Sequence, residues 1–144
     1  MIKKTCLILF LAVCSVAASA QNADAILGKW INPSGEGQVQ IFKKGNKFFG
    51  KLVWMKFPNE ADGKPKLDNQ NPDKALQSRL KLGIELLKDF VYDGDNAYED
   101  GTIYDPKNGK TYSCKMTLNG DNLKIRGFIG ISLLGRSEIW KRVK

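Results

Sequence analysis

The chain has 144 residues, with 23 Lys and Arg against 15 Asp and Glu, three Cys and no His. The absence of His excludes Ser-His-Asp and Cys-His nucleophile systems, zincin motifs and haem attachment. The length suits one domain able to bury a core without covalent staples.

The first segment reads as an export signal. Lys3 and Lys4 form a positive start, CLILFLAVC is a short apolar run, and Ala18 and Ala20 form an A-x-A-like cleavage site. The apolar run is too short to cross a bilayer as a helix. Cys14 could invite lipid attachment, but Val13 stands where such signals want a small residue. The expectation is a signal peptide over 1–20 and one domain over 21–144, placed outside the cytoplasm, in the periplasm or secreted. Cleavage would leave 21 basic and 15 acidic residues, a charge of +6, and Cys114 alone, so no internal disulfide. The charge favours anionic surfaces. Exported proteins seldom meet nucleic acid as a substrate, so no nucleic-acid partner is expected. KFFGKLVWMK (47–56), with its interleaved Lys and aromatics, is read as a strand.

Short strand-like runs separated by turn chemistry follow. ILGKWIN (26–32) leads into the loop PSGEG. GQVQIFKK (37–44) alternates, and Gly45-Asn46 predicts a primed hairpin turn into KFFGKLVWMK. Residues 57–71 are a polar connection. Asn71-Pro72-Asp73 looks like a helix start, with Asn71 as N-cap. Leu76, Leu80, Ile84, Leu87 and Val91 keep helical spacing, so a helix could run to residue 91. Gly83 interrupts it, and the favoured reading is a short helix followed by a strand at 85–92.

DGDNAYEDG (93–101) has calcium-loop character, but Ala97 and Tyr98 break the pattern where a ligand and a Gly are required. GTIYD (101–105), PKNG and KTYSCKMTL (110–118) form a hairpin. Tyr112, Cys114, Met116 and Leu118 alternate with Thr111, Ser113, Lys115 and Thr117. Cys114 should therefore point inward with a raised pKa, while Ser113 points outward. The two cannot share a site. NGDN is a turn, LKIRGFIGI (123–131) a strand, Leu133-Leu134-Gly135 a bend and RSEIWKRV the last strand. The fold class is mainly β: one antiparallel barrel of about eight strands with one short helix. Asp68, Asp105 and Glu138 are carboxylates that could act in pairs, though no catalytic residue, metal ligand or cofactor motif is assigned.

G-K-W at 28–30 and W-K-R at 140–142 resemble the opening and closing of the calycins, the lipocalins and their relatives. The resemblance implies a barrel closed by the first and last strands, with Trp30 packed beneath Arg142. The succession LGKW, GKLVW, DGKPKLDNQNPD, LGIELL, GTIYDPKNGKTY, LKIRGFIG and LGRSEIWKR resembles the exported bacterial family of unknown function DUF2147. Arg79-Leu80 stands where that family has Arg-Pro. The resemblance implies a small β-rich domain outside the cytoplasm and supplies no catalytic residues.

Two functions fit. The first is non-catalytic binding of a small apolar or amphipathic ligand in the barrel or its mouth. Phe49, Trp54, Tyr104, Tyr112 and Met116 would line it, with Arg126 or Arg136 for an anionic head group. Such aromatics more often fill a solid core. The second is an envelope interaction protein whose 57–71 connection meets a protein partner or a cell-wall polymer. An enzyme would need a recessed carboxylate pair with a raised pKa. A monomer without a cofactor is expected.

Overall fold

The computed structural model describes residues 23–131 and 135–144. The expected signal segment and Leu133 and Leu134 of the expected bend lie outside the described residues. The elements are β1 (Gly28–Ile31), β2 (Gly37–Lys44), β3 (Lys47–Met55), β4 (Glu85–Tyr92), β5 (Ala97–Asp105), β6 (Lys110–Asn119), β7 (Asn122–Phe128) and β8 (Gly135–Arg142). They pair in sequence order, antiparallel throughout, and close into a barrel. Gly45 takes a φ of 65° in the two-residue turn that pairs Lys44 with Lys47. That positive φ at the first turn position matches the twist of the two strands.

Two 3-10 turns complete the described residues: Asp24–Ile26 before β1, and Lys74–Leu76 in the long connection from β3 to β4. The helix expected after residue 71 is this single turn, and its cap is Asp73, whose carboxylate accepts the Ala75 N–H at 3.0 Å. Asn71 does other work: its Oδ1 accepts the Asp73 N–H and its Nδ2 donates to Asp68. The leucine spacing that suggested a longer helix is shared between environments. Leu76 and Leu80 face solvent, whereas Ile84 and Leu87 are buried. The strand expected at 85–92 is β4.

Four ladder irregularities set which residues point inward. Asp89 and Asp100 have positive φ, and the ladders skip there, so Leu87 and Phe90 both face the core, as do Tyr98 and Gly101. A third irregularity lies in the β2–β3 ladder between Gln38 and Val39, and a fourth in the β3–β4 ladder between Gly50 and Lys51. An extra residue reverses the alternation beyond it. The core is one cluster that includes Trp30, Phe48, Leu87, Phe90, Tyr98, Met116 and Trp140. Tyr98 meets Phe48 edge-on at 5.3 Å. Glycines make room for large neighbours. A Cβ on Gly101 would lie 2.5 Å from the Phe90 ring, and one on Gly50 would lie 2.8 Å from Leu87 Cδ1. At these levels the interior is filled.

One end is closed by β1 and β8, whose ladder has only Trp30 opposite Arg142 and Ile31 opposite Lys141. Trp30 is fully buried and its Nε1 donates to the Ile26 carbonyl. The Arg142 guanidinium carbon stands 4.3 Å from the Trp30 ring centroid. The same guanidinium donates to the carbonyls of Leu27 and Ala25 at 3.0 and 2.7 Å. The stacking alone contributes about 0.5–2 kcal/mol.

Candidate functional site

The residues expected to line a ligand site divide between the two faces of the wall. Met116 is inside the core. Tyr112 faces inward opposite Ile103, and both approach Gly127. The Tyr112 hydroxyl accepts from Asn108 Nδ2. Arg136 pairs with Gly127 and is exposed. Phe49 lies outside the core cluster, stacked on Phe42 at 5.8 Å with Lys44 Nζ 4.4 Å from its ring centroid. Its neighbour Phe48 takes the inward place. Trp54 lies opposite Gln38, beyond the ladder irregularity, and is 40% exposed. Arg126 alternates with inward Ile125 and donates to Ser137 Oγ. Tyr104 follows inward Ile103 and meets the long connection outside the barrel. Filled interior and divided faces leave these residues as several small environments.

The carboxylates are equally separate. Glu138 accepts from Trp140 Nε1, and Asp105 accepts the Lys107 N–H. Asp68 is fully buried. Among the described residues no group of three His, Cys, Asp or Glu is placed to hold a metal ion.

Asp68 organises the connection. Residues 56–84 double back twice, through bridges at Asn59–Pro65 and Leu67–Leu80. This brings Asp68 beneath Arg79 and onto β5. Its Oδ1 accepts the Tyr104 hydroxyl at 2.6 Å, and its Oδ2 accepts Asn71 Nδ2 and Arg79 Nε, each at 2.9 Å. Arg79 Nη2 is also 2.9 Å away, closing a forked ion pair. Burial pushes the Asp68 pKa up, but the bonds from Tyr104, Asn71 and Arg79 outweigh it and hold the group below its ordinary value. Burial, and then the bond to Asp68, push Tyr104 up to about 12. A carboxyl held ionised in this way is an anchor, unsuited to donate a proton near neutrality. Gly109 adds a second point of docking. Its φ is +73°, and a Cβ there would overlap the Gln70 carbonyl oxygen, so only glycine lets the connection lie so close.

The docked connection leaves a groove against the wall. One part, about 220 Å³, is lined by Pro72, Leu76, Arg79, Lys88, Thr102 and Tyr104 among others. Arg79, Glu85 and Lys88 also border a neighbouring part of about 460 Å³, which adds Leu80, Leu82 and Ile84. Leu76, Leu80 and Leu82 are 37%, 54% and 44% exposed. The groove thus joins apolar surface to the cationic ends of Arg79 and Lys88.

A family model described as "Uncharacterized protein conserved in bacteria (DUF2147)" matches residues 28–142, from the first residue of β1 to the last of β8. The chain belongs to the DUF2147 family. No curated protein matches it. Among solved structures, protein HP1028 from Helicobacter pylori, described as belonging to the lipocalin family, is similar. It has 24% identity and a TM-score of 0.71 over 83% of each chain. That likeness establishes a lipocalin-like barrel for this DUF2147 domain.

In this DUF2147 chain the groove is not among the surfaces that the sequence leads one to expect. The expectations placed an interaction surface on 57–71 and a ligand in the barrel or its mouth. The available signal was three leucines at 76, 80 and 82 in an otherwise polar stretch, bordered by Arg79 and Lys81. Leu76 and Leu80 also fit a helical spacing with Ile84, which masks their role on the surface. Among the described residues, no helix of the DUF2147 domain is long and apolar enough to cross a membrane.

Proposed function

We propose that the protein binds a small amphipathic molecule without covalent chemistry, in the groove between the 71–84 connection and the β4–β5 wall. The observation that carries this reading is the meeting of exposed Leu76, Leu80 and Leu82 with Arg79 and Lys88 along one concave surface. An alkyl or ring portion would cover the leucines, and an anionic or polar head would meet Lys88. Packing around Gly50 and Gly101 favours this outer site over the barrel interior.

Titration calorimetry with monomeric dodecanoate, with dodecyltrimethylammonium as the charge control, tests it. The fatty anion should bind more tightly than the cation. Leu80→Asp and Lys88→Glu should each weaken the anion about tenfold or more, ~1.4 kcal/mol. Tyr112→Ala and Arg136→Glu should leave binding unchanged. The opposite pattern would move the ligand to the barrel mouth, and no binding by either probe would remove the small-ligand reading. The second reading, an interaction surface on 57–71, draws support from Phe57 and Leu67, which are 52% and 37% exposed.

A further inference from the structure

The charge of the chain is divided sharply along its length. Residues 23–109 carry 13 Lys and Arg and 13 Asp and Glu, whereas residues 110–144 carry eight against two. The net positive charge of the described part therefore belongs to β6, β7 and β8. Register places much of it on one outer wall. Cys114, Met116, Leu123, Ile125 and Trp140 take the inward positions. Lys115 stands opposite Arg126, and Lys124 opposite Ile139, at the alternate, outward ones. Lys141 follows Trp140 and shares that outward phase. Neither acid opposes them there. Asp121 pairs with Arg142 and Lys144, and Glu138 lies opposite inward Ile125 and accepts from Trp140.

Apolar side chains accompany this charge. Ile129 and Ile131, just beyond β7, are 68% and 58% exposed, the two most exposed large hydrophobic residues described. Ile139 is 46% exposed within the basic wall itself. An anionic polymer would satisfy the cations and leave three isoleucines in water. An anionic bilayer satisfies both, since its phosphates lie directly above an apolar layer. We propose that the outer wall of β6–β8 docks on an anionic lipid bilayer, with Ile129 and Ile131 entering the boundary between head groups and acyl chains. The groove reaches β6 at Thr111, but the inference does not depend on a ligand there.

Co-flotation of the full chain with vesicles provides the test, using phosphatidylcholine alone or mixed with phosphatidylglycerol. Binding should be confined to the mixed vesicles and should fall as salt is raised. The apolar N-terminal segment, with Lys3 and Lys4, would also favour the anionic vesicles, but it would ignore changes at residues 124–141. Ile129→Asp with Ile131→Asp should reduce binding to mixed vesicles about tenfold or more. Lys124→Glu with Lys141→Glu should do the same. All four positions are exposed, and an unchanged thermal unfolding midpoint would confirm that the variants fold. Equal binding to neutral vesicles, no binding to either, or binding that survives both isoleucine changes would overturn the proposal. Equally strong, isoleucine-independent binding to soluble polyphosphate would assign the wall to anionic polymers and also overturn it.

Discussion

Inside the barrel, large side chains hold one another through many apolar contacts, and the strands around them pair with their neighbours in sequence. The connection over residues 56–84 lies on the outer wall, fastened by buried Asp68 with its three partners. The close approach of Gln70 to Gly109 and backbone bonds of Gly83 and Ile84 to Leu52 fasten it further. The first arrangement spreads its stability over the cluster. The second concentrates it in a few directional bonds, which makes it sensitive to single polar changes and to protonation. Global and local stability should therefore separate in this molecule.

The largest effect should come from the closed end. Trp30→Ala should cost about 3–5 kcal/mol, because it leaves a cavity as well as removing the contact with Arg142. Arg142→Ala should cost less, and in urea denaturation the two changes should be less than additive. Strict additivity would mean that the 4.3 Å stacking carries no energy. A core change next in size is Gly101→Ala, which must displace the Phe90 ring and should cost about 1–3 kcal/mol by overpacking. Both losses should appear in the transition of the whole domain.

Asp68→Ala should act differently. Leaving Tyr104, Asn71 and Arg79 without their acceptor should cost about 1–3 kcal/mol, felt chiefly as release of the connection. Limited proteolysis should cut within residues 57–84 while the barrel keeps its near-ultraviolet circular dichroism. Simultaneous loss of both would show that connection and barrel form one cooperative unit.

The pH dependence has two signs. Asp68 is lowered in the folded protein, so its contribution is present above the unfolded carboxyl value near 3.8 and is lost as pH falls below it. Acid should free the connection before it opens the barrel, which hydrogen exchange would resolve. Cys114 is raised to about 12 by burial, the Arg126 backbone bond opposing only in part. The stability this represents is present below the unfolded thiol value and disappears as pH rises toward about 12. Cys114 should accordingly label slowly with thiol reagents in the native state, and rapid labelling would contradict its 1% exposure. The smallest stability change should be Leu80→Ser, within about 0.5 kcal/mol because the side chain is exposed. A larger loss would mean that Leu80 supports the connection as packing.

These differences also explain what could be read from the amino acids. β6 was legible because Tyr112, Cys114, Met116 and Leu118 keep a period of two without interruption, and the two-residue turns carry Gly. The face of Phe49 was not, since Phe48 and Phe49 are chemically alike and neighbouring strands decide which turns inward. Bulges at Asp89 and Asp100 hide in the sequence as ordinary acids, although each changes the alternation after it. Asp68 was visible only as a carboxylate without a role. Its partners Tyr104 and Arg79 lie 36 and 11 positions away, and a bond over that separation leaves no local periodicity.

The brevity of the β1–β8 ladder has a kinetic consequence. Every other strand pair joins neighbours in the chain, so most of the sheet can grow from local hairpins with modest loss of chain entropy. The last seam must bring together Leu27 and Arg142, which are 115 positions apart, for two residue pairs and one stacked guanidinium. Such a contact should form after the main folding barrier. In a chevron plot, Arg142→Ala should then accelerate unfolding and barely slow folding, whereas a slowed folding limb would place closure in the nucleus. The seam would then act as a latch on an almost complete sheet: it governs how long the native barrel survives more than how quickly it is made.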